Sequence, residues 1–224
     1  MKILFLGTGA ADYNIQHRAL DGYRRNSSIL IDGTLLIDPG PCVPDALDSF
    51  GVDASNIKYV LYTHKHYDHY NEDTLSLLHA NGAHSVTIAD SENANLGKYR
   101  VTALQGNHSV AVQHFIVDDG KSKLFYGLDS AWLLYNEVRA IKACGGVNLA
   151  VLDGTVGFEK GDYRIFEHCD MDMIITMSNV LKKSAKRICI SHMARTLHTD
   201  HNTLARAMSE HGIEVAYDGL VTEI

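Results

Sequence analysis

The heptapeptide that indicates the fold of this chain is Thr63-His64-Lys65-His66-Tyr67-Asp68-His69. Three imidazoles and one carboxylate lie within six consecutive positions, and both groups are ligands for divalent metal ions. Buried without partners, each would cost roughly a few kcal/mol. The segment follows a predicted strand that begins at Lys58, and a loop at a strand end can direct several side chains into one cleft. The heptapeptide therefore predicts a metal site.

One ion does not easily use all four groups, because a short loop restricts their geometry. We expect the first pair to bind one ion and the second pair to bind another, so each ion needs ligands from elsewhere in the chain. Suitable groups occur at the ends of other predicted strands. These candidates are His108, Asp129 and His192.

Strand and helix patterns alternate along the chain, and strands outnumber helices. Apolar residues at helical spacing predict helices around Leu75, Leu134–Ile141, Ile174–Leu181 and Leu204. Two packed sheets with helices outside them account for this pattern. Strands are predicted at Ile3–Leu6, Ser28–Ile31, Thr34–Asp38, Lys58–Thr63, Ser85–Ala89, Arg100–Leu104, Val110–Val117, Lys123–Gly127, Leu149–Leu152, Arg187–Ile190 and Glu214–Tyr217.

Length and composition predict one globular domain over residues 1–224. Hydrophobic residues make up 46% and charged residues 21%, which excludes a disordered chain and a coiled coil. No apolar run reaches the roughly 18–20 residues that a membrane span needs, so no membrane association is expected. The net charge of −7 repels phosphate backbones, so a nucleic-acid partner is not expected either.

Two features of the sequence predict a cytoplasmic location. The apolar stretch of Met1–Gly7 is shorter than the roughly 7–15 residues of a signal peptide. The cysteines lack the C-x2–4-C spacing of a thiolate zinc site, so no such site is expected. Because no export signal is predicted, we expect a cytoplasmic protein with reduced thiols. The cysteines are Cys42, Cys144, Cys169 and Cys189.

The heptapeptide, followed in order by His108, Asp129 and His192, resembles the metallo-β-lactamase-fold hydrolases. The turn at Gly7-Thr8-Gly9 and the strand end at Leu36–Gly40 are also common in that fold. The resemblance implies an α/β fold: an αββα sandwich of two mixed β-sheets flanked by helices. It also implies a metal site at one edge of the two sheets.

The resemblance further implies how the ligands divide between two divalent ions, zinc or manganese. One ion would take His64, His66 and His108, and the other would take Asp68, His69 and His192. Asp129 would bridge the two ions, and Asp68 would count among the catalytic residues as well as the ligands.

A second resemblance concerns Glu167-His168-Cys169-Asp170. It is similar to the Asn-His-Cys-Asp stretch of the phosphoribosyl cyclic phosphate phosphodiesterases, where the histidine assists the leaving oxygen. As a general acid, His168 could contribute about 10²–10⁴-fold to the rate. The cysteine-rich insert of that subgroup is absent before Cys42, so its structural zinc is not expected.

These observations favour a dinuclear phosphodiesterase for a small cyclic or nucleotide-like phosphodiester. A metal-bridging hydroxide would attack phosphorus, and His168 would protonate the departing oxygen. Arg24 and Arg25 are candidate ligands for the substrate phosphate, although they could also be surface charges before a strand.

Three alternatives stay open from the sequence. A lactone or thioester hydrolase could use the same ligands. Ribonuclease Z-like tRNA processing normally needs a long arm, whereas only 38 residues without a Gly-rich basic insertion separate His69 from His108. A metal-binding protein without turnover is the third. The resemblance also makes a homodimer an expectation.

Overall fold

The chain forms two compact units in a computed structural model that describes residues 1–224. The first unit comprises Met1–Thr87 and Tyr217–Glu223, and the second comprises Ile88–Ala216 and Ile224. Each unit contains one mixed β-sheet with helices packed against it. The predicted class, α/β with two mixed sheets flanked by helices, is therefore confirmed. A single domain over residues 1–224 stays a prediction.

Thirteen strands and five helices follow one another along the chain. The strands are β1 (Lys2–Gly7), β2 (Ser28–Ile31), β3 (Leu35–Ile37), β4 (Tyr59–Leu61), β5 (His84–Ser85), β6 (Asn93–Leu96), β7 (Tyr99–Gln105), β8 (Gln113–Asp118), β9 (Lys123–Gly127), β10 (Val147–Asp153), β11 (Ala185–Ser191), β12 (Glu214–Val215) and β13 (Val221–Glu223). The helices are α1 (Val43–Ser49), α2 (Glu72–Ala80), α3 (Tyr135–Ala143), α4 (Met171–Leu181) and α5 (His201–Ser209).

The sheet of the first unit has the strand order β13-β1-β2-β3-β4-β5. Asp32 and Gly33 both have positive φ, 48° and 70°, and close the predicted hairpin between β2 and β3. From β3 onward the neighbouring strands are parallel, so β3 and β4 end at the same edge. Helices α1 and α2 pack on this sheet through buried side chains such as Leu47 and Leu78.

The sheet of the second unit has the order β12-β11-β10-β9-β8-β7-β6. Strands β9 to β12 are parallel, and α3, α4 and α5 connect them in turn. The register pairs Leu152 with Gly127 and Asp153 with Ser191. The carboxyl ends of β9, β10 and β11 consequently lie side by side. Helix residues such as Ile174 and Leu204 bury their side chains against this sheet.

The differences from the predicted elements occur in short or marginal segments. Helix α1 was not predicted because it has only seven residues and carries a proline, Pro44, which the first helical turn tolerates. The strand predicted for Ser85–Ala89 is reduced to two residues, and β6 and β13 at sheet edges were missed. Strands at an edge bury little surface, so their sequences show weak periodicity.

Two further features bear on the protein's surroundings. The longest helix, α4, has eleven residues, and no helix has the length and apolarity that crossing a bilayer requires. All four cysteines are free thiols.

Candidate metal centre

The heptapeptide lies in the loop between β4 and α2 of the first unit. The neighbouring loop after β3 braces it, because the Asn71 backbone N–H donates to the Pro39 carbonyl at 3.0 Å. Gly40 permits this close packing, since a Cβ there would lie only 2.0 Å from the carbonyl oxygen of Asp68. Asn71 also caps α2 by accepting a bond from Thr74 N at 2.9 Å. The end of the heptapeptide that leads into α2 is therefore fixed.

Asp38 holds the heptapeptide from beneath. It follows β3 with a φ of 65° and is fully buried. One carboxylate oxygen accepts from Thr63 N at 2.7 Å and from Thr63 Oγ1 at 2.9 Å. The other oxygen lies 2.9 Å from His69 Nδ1. A protonated Nδ1 leaves His69 Nε2 to bind an ion, which is the usual arrangement of a carboxylate behind a metal-binding histidine.

The predicted ligands of the heptapeptide lie together. His69 Nε2 is 3.3 Å from Asp68 Oδ2, and the His64 ring lies 4.4 Å from that of His66 and 4.6 Å from that of His69. His64 Nδ1 lies 3.0 Å from Thr63 Oγ1. The first unit thus groups three imidazoles and one carboxylate around a single loop.

The second unit brings its three predicted ligands together from separate strand ends. Asp129 follows β9 with a φ of 52°, and His192 follows β11 with a φ of 63°. Asp129 Oδ1 is 2.9 Å from His192 Nε2, and Asp129 Oδ2 is 3.7 Å from His108 Nε2. The carboxylate therefore presents one oxygen to each of two histidines.

Partners at Nδ1 orient the histidines of this unit. His108 Nδ1 donates to the Glu167 carbonyl at 3.1 Å, and His192 Nδ1 lies 2.7 Å from Thr155 Oγ1. His168 Nδ1 donates to Asp153 Oδ2 at 2.9 Å. In each ring Nε2 is the nitrogen left to face a ligand or substrate.

Asp153, the last residue of β10, links His168 with His192. Its Oδ2 is 3.5 Å from His192 Nδ1. Burial opposes its ionisation, but the interactions with His168 and His192 outweigh burial and hold the pKa of Asp153 below its usual value. Burial also lowers the pKa of His168, and the Asp153 carboxylate outweighs it, so that pKa is raised. The metal-free protein therefore favours a charged Asp153–His168 pair.

The sequence reasoning missed Asp38, Asp153 and Thr155 as site residues. Asp153 and Thr155 satisfy the criterion that identified His108, a polar residue at the end of a predicted strand. Asp38 stands in the strand end already noted as common in the fold. Applied to every predicted strand, the strand-end criterion would have found all three.

Arg24 and Arg25 lie in the first unit and already have protein partners. The Arg24 guanidinium is largely buried and donates to Thr8 Oγ1 at 2.6 Å. Arg25 Nε donates to Asp45 Oδ2 at 2.6 Å, and its backbone N–H donates to Asp218 at 2.6 Å. A substrate phosphate would compete with these partners, and the predicted binding role stays a prediction.

The model of the metallo-beta-lactamase superfamily matches residues 21–91, which contain the heptapeptide. The chain is therefore similar to this superfamily over that segment, and members of the superfamily are metal-dependent hydrolases. The histidine and aspartate clusters of both units are donor sets that suit divalent ions. The resemblance inferred from the sequence is thus confirmed for the superfamily.

Three solved structures show the same fold over the whole chain. The metallo-beta-lactamase fold protein YhfI from Bacillus subtilis has a TM-score of 0.78 at 14% identity, and 98% of it is covered. A diphosphatase from the PhnP family gives 0.73 at 18% identity, with 97% covered. Zn(2+)-bound PqqB from Methylobacterium extorquens gives 0.77 at 16% identity, with 100% covered. All three alignments cover 100% of this chain. No curated protein sequence gives a significant match.

Proposed function

We propose that this protein is a dinuclear metal-dependent phosphodiesterase for a small cyclic or nucleotide-like phosphodiester. The observation that carries the proposal is the Asp129 carboxylate, with His192 Nε2 at 2.9 Å from one oxygen and His108 Nε2 at 3.7 Å from the other. A carboxylate in this position is suited to bridge two ions. The diphosphatase among the similar structures supports phosphorus chemistry.

The proposed ligand sets follow the resemblance stated from the sequence. One ion is assigned to His64, His66 and His108, the other to Asp68, His69 and His192, and Asp129 to both. When bound, two divalent ions supply Lewis-acid stabilisation and lower the pKa of the water that serves as nucleophile. We propose zinc or manganese, and the zinc-bound PqqB structure supports zinc.

His168 is proposed to act on the leaving side of phosphorus. Water adds to phosphorus and releases one proton to solvent, the bond to the ester oxygen breaks, and that oxygen takes a proton from His168 Nε2, which solvent then restores. Asp153 accepts the Nδ1 proton at 2.9 Å, so it orients the ring and stabilises the imidazolium that must donate. The products are a phosphomonoester and an alcohol. Arg24 and Arg25 remain the proposed contacts of the phosphate oxygens.

The test compares two phosphodiesters that differ in their leaving group. The protein is reconstituted with manganese or zinc and assayed with bis(p-nitrophenyl) phosphate and with a ribose cyclic phosphate that expels an alkoxide. Asp129→Ala is expected to abolish both reactions. His168→Ala is expected to slow the alkoxide reaction by about 10²–10⁴-fold and to leave the p-nitrophenolate reaction nearly unchanged. His211→Ala, an exposed histidine beyond α5, is the matched control.

Each other outcome points to a different function. If the fully metallated protein hydrolyses neither phosphodiester, the phosphodiesterase proposal is wrong. Turnover of a chromogenic lactone or thioester would then indicate a different hydrolase. Binding of precursor tRNA with a steep dependence on salt would indicate tRNA processing. Stable metal binding without any turnover would indicate a metal-binding protein.

The remaining parts of the proposal concern assembly and location. We propose a homodimer in the cytoplasm with a small-molecule substrate. Sedimentation at several protein concentrations tests the dimer, and fractionation of the source cells tests the location. A monomer at all concentrations would contradict the first part.

A further inference from the structure

A second charged pair lies inside the second unit, apart from the proposed ligands. His114 on β8 and Glu137 on α3 are both 0% exposed. His114 Nδ1 lies 2.5 Å from Glu137 Oε1, and His114 Nε2 is 2.9 Å from the Leu128 carbonyl oxygen. Because a carbonyl oxygen only accepts, Nε2 carries a proton. Glu137 Oε2 accepts from Leu134 N at 2.7 Å and so caps α3.

Stability alone does not account for this pair. A buried ion pair costs desolvation, and apolar residues of similar volume are often equally stabilising or more so. The surrounding contacts of His114 indicate a different role.

The His114 imidazole packs on the backbone of two loops that carry proposed ligands, the loop of His108 and the loop of Asp129. A Cβ at Gly106 would lie 2.5 Å from His114 Cε1, and a Cβ at Gly127 would lie 3.1 Å from His114 Nδ1. Gly106 stands two residues before His108, and Gly127 stands two residues before Asp129. The His114 ring therefore occupies the space that a side chain at Gly106 would take, and together with the Phe125 ring it fills the space beside Gly127.

The two loops are also bonded to each other next to the ligands. The Ala131 N–H donates to the Asn107 carbonyl at 3.0 Å, and Asn107 N donates to Ser130 Oγ at 3.2 Å. Asp129 itself adopts a left-handed backbone conformation, with a φ of 52°. Such conformations are costly for residues other than glycine and persist where surrounding contacts impose them.

We propose that His114, held by Glu137, is a positioning residue that sets the backbone of both loops so that Asp129 faces His108 and His192. The bond to the Leu128 carbonyl fixes the peptide directly before Asp129. The ring fixes the distance between the two loops. The inference rests on the proposed function in one respect: it takes Asp129, His108 and His192 to be metal ligands.

The experiment uses two disrupting variants, one control and one rescue variant, His114→Gln, first without metal. Glu137→Gln removes the charge and keeps the shape. His114→Phe keeps a ring but leaves Leu128 without its donor. Ile141→Val removes one buried methylene from the same helix and serves as the control for lost stability. The readout is hydrogen exchange of the Ala131 amide, which reports the bond to Asn107.

In both variants we expect the Ala131 amide to exchange at least about tenfold faster than in wild type. We also expect the affinity for zinc or manganese, measured by chelator competition, to fall by about 10–100-fold. His114→Gln, whose side-chain amide can donate to the Leu128 carbonyl, should recover part of both losses. Ile141→Val should lower the unfolding temperature and leave exchange and affinity near wild type.

The proposal is overturned if Glu137→Gln and His114→Phe change exchange and affinity no more than Ile141→Val does. If His114→Phe does not fold, Glu137→Gln decides alone because it preserves the packing. A wild-type protein that binds neither zinc nor manganese contradicts the proposed function. The Ala131 exchange in metal-free protein still decides whether the pair orders the two loops.

Discussion

The two units collect their proposed metal ligands in different ways. The first unit carries His64, His66, Asp68 and His69 on one loop, whereas the second takes His108, Asp129 and His192 from three strand ends. Residues on a single loop are neighbours in the sequence, so they stay near each other in any fold. Ligands on separate strands meet only if the register of the parallel strands is correct. The second set therefore depends far more on tertiary structure.

One device is nonetheless common to both units. Asp38 after β3 and Asp153 at the end of β10 are buried carboxylates, and each accepts a proton of a histidine Nδ1 at 2.9 Å. Each stands at the carboxyl end of a strand with a parallel neighbour. Parallel strands place such residues at one edge of a sheet, where Asp38 orients a histidine that follows the adjacent strand and Asp153 orients one in the loop that follows its own strand.

The largest expected effect comes from comparing Asp129→Ala with His66→Ala. Because Asp129 is assigned to both ions, we expect its loss to lower turnover by about 10³-fold or more and to reduce binding of both ions. His66→Ala should weaken the binding of only one ion. Metal analysis after dialysis measures this difference. Retention of two ions per chain by Asp129→Ala would contradict the bridging role.

A smaller effect is expected on the stability of the loop that carries the contiguous ligands. Asp38→Ala removes the acceptor of Thr63 and His69 and leaves their donors buried, so the free energy of unfolding of metal-free protein should fall by about 3 kcal/mol. Urea unfolding measures the change. Asp53→Ala, which removes an exposed cap, is the control and should lower the free energy of unfolding clearly less. Equal losses in the two variants would contradict the bracing role of Asp38.

The packing of the same loop predicts a loss of about 2 kcal/mol for Gly40→Ala. The added methyl would meet the Asp68 carbonyl, and relieving that overlap must displace the heptapeptide. Gly51→Ala has open space but a φ of 63°, so it should cost about 1 kcal/mol through backbone strain alone. Metal affinity should fall only in Gly40→Ala. Unchanged affinity there would show that the loop tolerates the displacement.

The smallest effect concerns the pH dependence of metal-free protein. Because the pKa of His168 is raised in the folded state, its charged form stabilises the protein. This stabilisation is fully present below pH 6.5, the ordinary pKa of histidine, and is lost as the pH rises through the folded-state pKa. Because the pKa of Asp153 is lowered in the folded state, its ionised form also stabilises the protein. This stabilisation is fully present above pH 3.8, the ordinary pKa of aspartate, and is lost as the pH falls through the folded-state pKa.

Asp153→Asn should consequently destabilise the metal-free protein more at about pH 5 than at about pH 9. Urea unfolding at both values measures this. The His114–Glu137 pair is present in both proteins, so its contribution cancels. A pH-independent difference would contradict a charged Asp153–His168 pair.

Much of the strand pattern could be predicted because burial leaves a periodic signal. Ser28–Ile31 and Lys123–Gly127 have the predicted bounds, and Asp32-Gly33 forms the predicted hairpin. Central strands such as β10 extend one or two residues beyond their apolar runs at each end. Polar edge strands and the short α1 gave no such signal, because few of their side chains contribute to a core.

The amino-acid sequence was enough to predict the donor types of the candidate site, the loop of contiguous candidate ligands and the strand ends that carry the others. Three sets of long-range contacts became visible in the folded chain alone. Asp38, Asp153 and Thr155 orient the histidines, His114 packs against two loops that carry candidate ligands, and Arg25 pairs with Asp45. The physical reason is that periodicity records which face of an element is buried. Contacts between residues far apart in the chain depend on strand register and topology, which no local pattern records.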